Sequence, residues 1–367
     1  MKKRLKDVLD YEQPTKYIVD SQNYSEEFKT PVLTAGKSFI LGYTDEAEGV
    51  YEASKNPVII FDDFTSASKY VDFDFKVKSS AMKILHLVNP KDSLRYVYYA
   101  MQKINYVPFS HKRLWISDYC NFEIELPDSS IQNRVVADLD TIQKAIDLKR
   151  KQLEDLDELV KSKFQEMFGD ESKFDKQPLS KSVVEMFIGP FGSALKNECF
   201  VDREQGHCIV YEQKHAIKKT IDLPARYITE EKYNELRRFT VLPDDIIISC
   251  RGTIGEVYTI PQGAPLGVIH PSLMKIRLKS GVYNNVFFTY IIEKYMQEHA
   301  YKAVGNCVKM AVTATVLGKE SFIVPSKKMQ DDFAQYDKGV RKAKEIVQHE
   351  IDDLEELMDS KMDEYFG

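Results

Sequence analysis

Carboxylates are the first side chains to test for chemistry, because a pair of acids followed closely by an acid-x-lysine triplet could hold a divalent cation for phosphodiester cleavage. The chain offers Asp62-Asp63, Asp72, Asp74 and Asp244-Asp245. Its nearest triplet, Asp74-Phe75-Lys76, lies in an alternating pattern that reads as the solvated face of a strand. Adenine methyltransferases carry Asn/Asp-Pro-Pro-aromatic, but here Asn56-Pro57 runs into Val58 and Asn89-Pro90 into Lys91. Ala35-Gly36-Lys37-Ser38 has the ending of a phosphate loop, yet Pro31 stands where the first glycine should be, so the backbone cradle is missing. Cys120, Cys199, Cys208, Cys250 and Cys307 show no Cys-x-x-Cys spacing, and His207-Cys208 lacks partner ligands. No serine or cysteine stands out as an activated nucleophile. The expectation is a chain with no catalytic residue, no metal and no cofactor of its own.

Residues that do no chemistry by themselves act through the elements that carry them, and here the elements repeat. LEDLDELVKSKFQEMFG at 153–169 aligns without a gap on IDDLEELMDSKMDEYFG at 351–367, an offset of 198. The same offset carries Pro127 to Pro325 and Gln132 to Gln330. Within the first copy Leu139, Ile142, Ile146, Leu153, Leu156, Val160 and Met167 fall on steps of three and four, the spacing of a coiled-coil seam. Val340, Val347, Ile351, Leu354, Met358 and Tyr365 fill the second copy, and Lys163 and Lys361 interrupt both seams at the same step. About 37 residues at ~1.5 Å each give a helix of ~55 Å, longer than a compact domain of this size usually buries. Gly169 and Gly367 stand where C-caps belong.

At 367 residues the chain suits two domains, and 43% hydrophobic residues are enough for sizeable cores. No apolar segment follows the basic start MKKRLKDVLDY and no run approaches a membrane span, so a reducing cytoplasm is the expected location. The net charge of −6 is unevenly placed. Segment 129–169 has 7 basic and 8 acidic residues and 326–367 has 7 and 12, whereas 1–128 has 17 and 19 and 170–325 has 20 and 18. The acidity sits in the helices, and a basic face on each globular part is allowed.

The globular parts echo each other. NPVIIFDDFTSAS (56–68) precedes SSAMKIL (79–85), and PDDIIISCRGTIG (243–255) precedes PSLMKIR (271–277), each a β-run, a polar loop and a second β-run. If the second globular part has neighbouring ends, the second helix runs back along the first. The fold class expected is α+β: two mixed α/β domains, 1–128 and 170–325, joined and separated by two long antiparallel helices, 129–169 and 326–367, that form a coiled coil in a pseudo-twofold tandem repeat.

This organisation resembles the specificity subunit of type I restriction-modification systems, over essentially the whole chain. Local strings carry the resemblance: Ile188-Gly189-Pro190-Phe191-Gly192-Ser193-Ala194-Leu195-Lys196, then Asp244-Asp245-Ile246-Ile247-Ile248-Ser249 to Gly252-Thr253-Ile254-Gly255, then Ile323-Val324-Pro325-Ser326 with Gln330. Leu126-Pro127 with Gln132 is the first-copy partner, without the serine. The resemblance implies a non-catalytic subunit whose two target-recognition domains each read half of an interrupted, asymmetric double-stranded DNA site. Its helices would set the spacing and dock two adenine-methylating modification subunits. Restriction subunits would add translocation and cleavage, with S-adenosylmethionine, ATP and magnesium bound by the partners. The failed motif search agrees independently.

Side chains able to fork onto base edges or grip phosphate are the candidates for DNA contact. In the first domain these are Thr65, Ser66, Ser68, Lys69, His111, Lys112 and Arg113; in the second, Ser193, Lys196, Lys214, His215, Lys218, Lys219, Arg251, Thr253 and Lys309. Arg251, on a glycine-flanked loop after a strand, is the foremost candidate for a base. Two rival readings make different predictions. A nuclease or methyltransferase with an unfamiliar motif would turn over DNA alone, and a scaffold for non-DNA partners would show no salt-dependent duplex binding.

Overall fold

The computed structural model describes residues 1–35, 38–106, 113–251, 253–299 and 313–367, and the backbone alone of 301–304 and 307–310. Two compact units divide the chain: Met1–Gln152 with Val347–Gly367, and Leu153–Ile346. Each takes half of each long helix, Ser129–Phe168 and Lys327–Phe366. The helices start on equivalent caps. Asp128 accepts the N–H groups of Ser130 and Ile131 at 3.0 and 3.1 Å, and Ser326 accepts that of Met329 at 3.4 Å. A capping side chain satisfies backbone donors that the first turn leaves free, so aspartate does in one copy what serine does in the other. At the far ends Gly169 and Gly367 donate to Gln165 and Asp363, both at 2.9 Å. Neither glycine has positive φ, so the expected left-handed cap is replaced by an ordinary last turn.

In the first unit the helix halves run antiparallel. Tyr365 donates to Asp138 at 2.7 Å, Lys149 pairs with Glu350 at 2.7 Å and Arg150 with Glu355 at 2.6 Å. Leu139, Ile142, Ile146, Val347 and Ile351 are buried, and Leu354, Met358 and Tyr365 half-buried. The second unit repeats the arrangement, with Lys344 on Asp157 at 2.7 Å and the rings of Phe164 and Phe333 5.4 Å apart. Val160 and Val340 are buried there, and Leu153, Leu156 and Met167 half-buried. The seam is not purely helix on helix. Leu139 and Met362 belong to the core of the first globular part, and Val160, Phe168, Phe333 and Val340 to that of the second. Lys163 and Lys361 interrupt it at little cost, since each turns to a glutamate three residues on, Glu166 or Glu364, and lies over a tyrosine ring, Tyr336 or Tyr365.

The globular parts share one topology. In the first, an antiparallel sheet runs Leu9–Glu12, Met82–Leu87, Val58–Asp62, Ser68–Val71; in the second, Val183–Ile188, Leu273–Leu278, Ile246–Ser249, Val257–Thr259. A second sheet in each contains one parallel pair, Thr30–Leu33 with Lys76–Val77 and Cys208–Tyr211 with Gly267–Ile269. The central runs Val-Ile-Ile-Phe and Ile-Ile-Ile-Ser are buried on both faces, as β-branched residues between two cores should be. A two-stranded ribbon closes each part, Lys2–Arg4 with Glu123–Glu125 and Lys176–Pro178 with Ser321–Ile323. Among the described residues, helices Gln213–Lys218 and Glu230–Glu235 and the paired strands Tyr301–Val304 and Cys307–Met310 occur in the second part without a counterpart in the first.

Gln132 and Gln330 latch globular part to helix in the same way. Both are fully buried. Gln132 accepts the N–H of Ser93 at 2.7 Å and donates to Pro127 at 2.8 Å; Gln330 accepts that of Asn284 at 2.8 Å and donates to Pro325 at 2.8 Å. Each amide thereby fixes the start of a long helix against the start of a domain helix, Leu94–Gln102 or Asn285–His299. No helix among the described residues is long and apolar enough to cross a membrane.

Candidate nucleic-acid interface

In the first unit, the turn after Val58–Asp62 is built by two adjacent aspartates. Asp62 accepts the Phe64 N–H at 2.9 Å and the Thr65 hydroxyl, while Ser66 sits at φ 60° and its N–H reaches the Asp62 carbonyl at 3.0 Å. Asp63 points inward. Its carboxylate accepts the Trp115 N–H at 2.9 Å, its carbonyl accepts the Leu114 N–H at 3.0 Å, and Lys83, wholly buried, stands 3.4 Å away. This ties the 62–67 turn to Arg113, just before helix Leu114–Ser117, so candidates distant in sequence come together. Thr65, Lys69 and Arg113 are exposed and Ser66 half-buried. Lys69 and Asp62 also line a recess of about 180 Å³ with Thr34, Phe39, Ile60 and Met82. Ser68 is different: it is buried and takes a hydrogen bond from Gln102 at 2.8 Å, so its hydroxyl is committed to the fold. His111 and Lys112 lie outside the described residues, as do Gly36, Lys37 and Gly252.

In the second unit, the loop after Ile246–Ser249 occupies the corresponding place. The Ser249 hydroxyl donates to Thr253 at 2.6 Å and accepts the Glu256 N–H at 3.0 Å; Cys250 N–H reaches Ser272 at 2.7 Å. Gln213 donates to the carbonyls of Arg251 and Thr253, linking this loop to helix Gln213–Lys218. Arg251, Thr253 and Lys218 are exposed, and Arg251 and Lys218 have no carboxylate partner among the described residues. Other cations are committed. Lys214 pairs with Glu212 at 3.0 Å and Lys219, at φ 49°, with Glu293 at 2.5 Å. Ser193 and Lys196 are exposed on the loop following Val183–Ile188, and Lys196 lies 3.8 Å from Glu198. Lys309 falls in strand Cys307–Met310, with its side chain outside the described residues.

His215 is a correction. Its ring is fully buried and accepts the Glu212 N–H at 2.9 Å, completing a capping box at the start of its helix. Burial lowers its pKa, which keeps it neutral, so it supports the loop and does not reach out of it. Burial likewise lowers His270, with Arg226 adding to the effect. Glu212 shows the opposite balance: burial alone would raise its carboxyl, but Arg226 and Lys214 outweigh that and hold it below the usual range. The positioning side chains Asp63, Lys83, Gln213 and Arg226 are not among the DNA-contact candidates read from sequence. Their one visible signal is that Lys83 and Lys275 recur inside the two Met-Lys-Ile strings, and both are buried.

Each unit is therefore a mixed α/β module with an irregular polar edge, held against half of an antiparallel helix pair. The family model described as type I restriction modification DNA specificity domain matches residues 1–158. The specificity subunit of the type I restriction enzyme EcoR124I/EcoR124II of Escherichia coli is 49% identical over 146 residues, 37% of this chain and 36% of that subunit. The match thus spans little more than a third of the curated relative. The type I restriction-modification S subunit from M. genitalium aligns with 100% of this chain and 96% of its own, at 15% identity and a TM-score of 0.51. A chain from a structure on complex assembly and conformational transition of the type I R-M system aligns over 100% and 97%, at 14% identity and a TM-score of 0.60. At such identities these likenesses show the fold alone. Residues 1–158 are thus similar to the type I restriction-modification DNA specificity domain, and the chain as a whole has the fold seen in the S subunit from M. genitalium.

Proposed function

We propose that the chain is the DNA-reading subunit of a type I restriction-modification complex, each globular part reading one half of a bipartite, asymmetric site. One observation carries this reading. The same four-stranded sheet recurs in both units and bears unlike loops in one place, Thr65, Ser66, Lys69 and Arg113 on one and Arg251, Thr253 and Lys218 on the other. A shared scaffold with different polar tips suits two different sequences presented to one kind of ligand. Arginine matches the paired acceptors of guanine, while lysine and hydroxyls grip phosphate or single base atoms.

In this reading the chain performs no chemistry. S-adenosylmethionine belongs to two adenine-methylating modification subunits that dock on the helices, and ATP and magnesium to restriction subunits. The helices set the spacing between the half-sites: 40 residues span about 60 Å, against about 34 Å for one turn of DNA. Support for non-catalysis is the fit of the irregular loops to recognition and the lack of any recognisable reaction motif. The test is methylation by the complex reconstituted with its modification subunits. Arg251→Ala abolishes site-specific methylation if the reading is right, and unchanged methylation of the same sequence refutes the assignment. Duplex binding that weakens steeply with salt distinguishes this function from a scaffold for other partners.

A further inference from the structure

Phe191 is 90% exposed, more than any other large apolar side chain among the described residues. The loop that holds it is braced on both sides. Pro190 restricts the backbone on one side, and the Ala194 N–H closes onto the Phe191 carbonyl at 2.8 Å on the other. Gly189 donates to Leu273 at 2.9 Å and has no room for a side chain, since a Cβ would lie 2.3 Å from the His270 carbonyl. Past the ring the tip stands clear: a Cβ at Gly192 would meet nothing within 4 Å.

Topology places this tip beside the arginine loop. Strands Val183–Ile188 and Ile246–Ser249 flank Leu273–Leu278 and both run antiparallel to it, with Ile188 opposite Met274 and Ser249 opposite Leu273. The loops that follow them leave the sheet at the same end. Phe191 therefore shares that end with Arg251, whose guanidinium has no carboxylate partner among the described residues. A protein-docking surface would be expected to gather apolar neighbours into a patch. Here Ile188 at the strand end is also exposed, but the chain past the ring is small and polar, Gly192 and Ser193, with Lys196 beyond it near Glu198, a setting that suits a polyanion with an apolar interior.

We infer that Phe191 is a wedge, whose ring enters between adjacent base pairs of the half-site read by the second unit and unstacks them. Apolar side chains on groove-facing tips bend DNA in this way, and a base must leave the stack before a methyltransferase can reach its target atom. The first unit also carries an exposed phenylalanine at the corresponding sheet end, Phe64, 50% exposed on the turn that matches the arginine loop.

The inference rests on the DNA-reading function proposed above, and its test separates the two. The full chain, assembled with its modification subunits, is titrated onto target duplexes in which 2-aminopurine replaces single bases across each half-site, the methylated adenines excepted. The wild-type complex brightens one step of the second unit's half-site at least threefold. Phe191→Ala abolishes that signal and leaves the other half-site unchanged, and Phe191→Leu restores most of it. Retention of the signal by Phe191→Ala overturns the wedge, as does equal loss at both half-sites or release of the modification subunits without DNA. A wild-type complex with no sequence preference overturns the reading function itself.

Discussion

Arg251 and Lys83 stand at opposite extremes, one exposed on a loop with no carboxylate partner among the described residues and the other buried beside Asp63 under a turn. Under the proposed function Arg251→Ala removes a contact without disturbing the scaffold, so it abolishes site-specific methylation while leaving the melting temperature within about 1–2 °C. Lys83→Met leaves the Asp63 carboxylate buried and unpaired. Breaking a buried ion pair from one side costs about 3–5 kcal/mol. The chain's single tryptophan, Trp115, sits in the first unit with its backbone N–H on Asp63, so denaturant unfolding followed by its fluorescence reads this loss directly. Lys83→Met with Asp63→Asn recovers part of it, because the uncompensated charge is gone. A midpoint unchanged in Lys83→Met contradicts the pairing.

Histidine adds a pH dependence at the same scale. Burial lowers the folded-state pKa of His215 and His270 below the ordinary value of about 6.5. Between that value and the lower folded one the unfolded chain binds more protons, so the neutral rings' contribution is complete above about 6.5 and fades as the pH falls. Calorimetric melting of the second unit should drop on acidification below pH 6.5, with a shallower slope in His215→Gln. Sequence found the exposed arginine because a glycine-flanked loop after a strand is a local pattern. It misplaced His215, since whether a helix turns a side chain inward depends on partners distant in sequence.

At the scale of elements, the duplicated glutamine shows how far recurrence can be read. Gln132 and Gln330 stand out at the 198-residue offset, but nothing local says that each amide bridges a helix start to a domain. Gln330→Ala strips partners from the Asn284 N–H and from the carbonyls of Pro325 and Val282. A loss of about 2–3 kcal/mol follows from leaving buried polar groups unsatisfied, measurable as an earlier unfolding of the second unit; a loss under half a kcal/mol would show that the latch is dispensable. The helices were legible in full because the three-and-four spacing is a physical period. Their partial absorption into the domain cores was not, because Leu139 and Val160 look alike whether they face a helix or a sheet. Short elements such as Gln213–Lys218 carry too few residues to show a period at all.

At the scale of the molecule, the duplication accounts for most of the architecture, and loop divergence for the rest. Both sheets and both ribbons recur, whereas the extra helices and strands of the second unit fall outside the repeat. If the helix pair sets the interval between half-sites, seven residues inserted after Gln152 and another seven after Ile346 lengthen it by about 10.5 Å. The methylated site should then keep both halves and gain about 3 base pairs between them, at roughly 3.4 Å each. An unaltered interval would remove the helices from that role.

The most direct measurement is a genome-wide map of methylated adenines in cells expressing this chain with its modification subunits. Two unlike short sequences separated by a fixed, unread interval, one methylated on each strand, are the predicted result. An uninterrupted or palindromic site, or methylation indifferent to the presence of the chain, would contradict it.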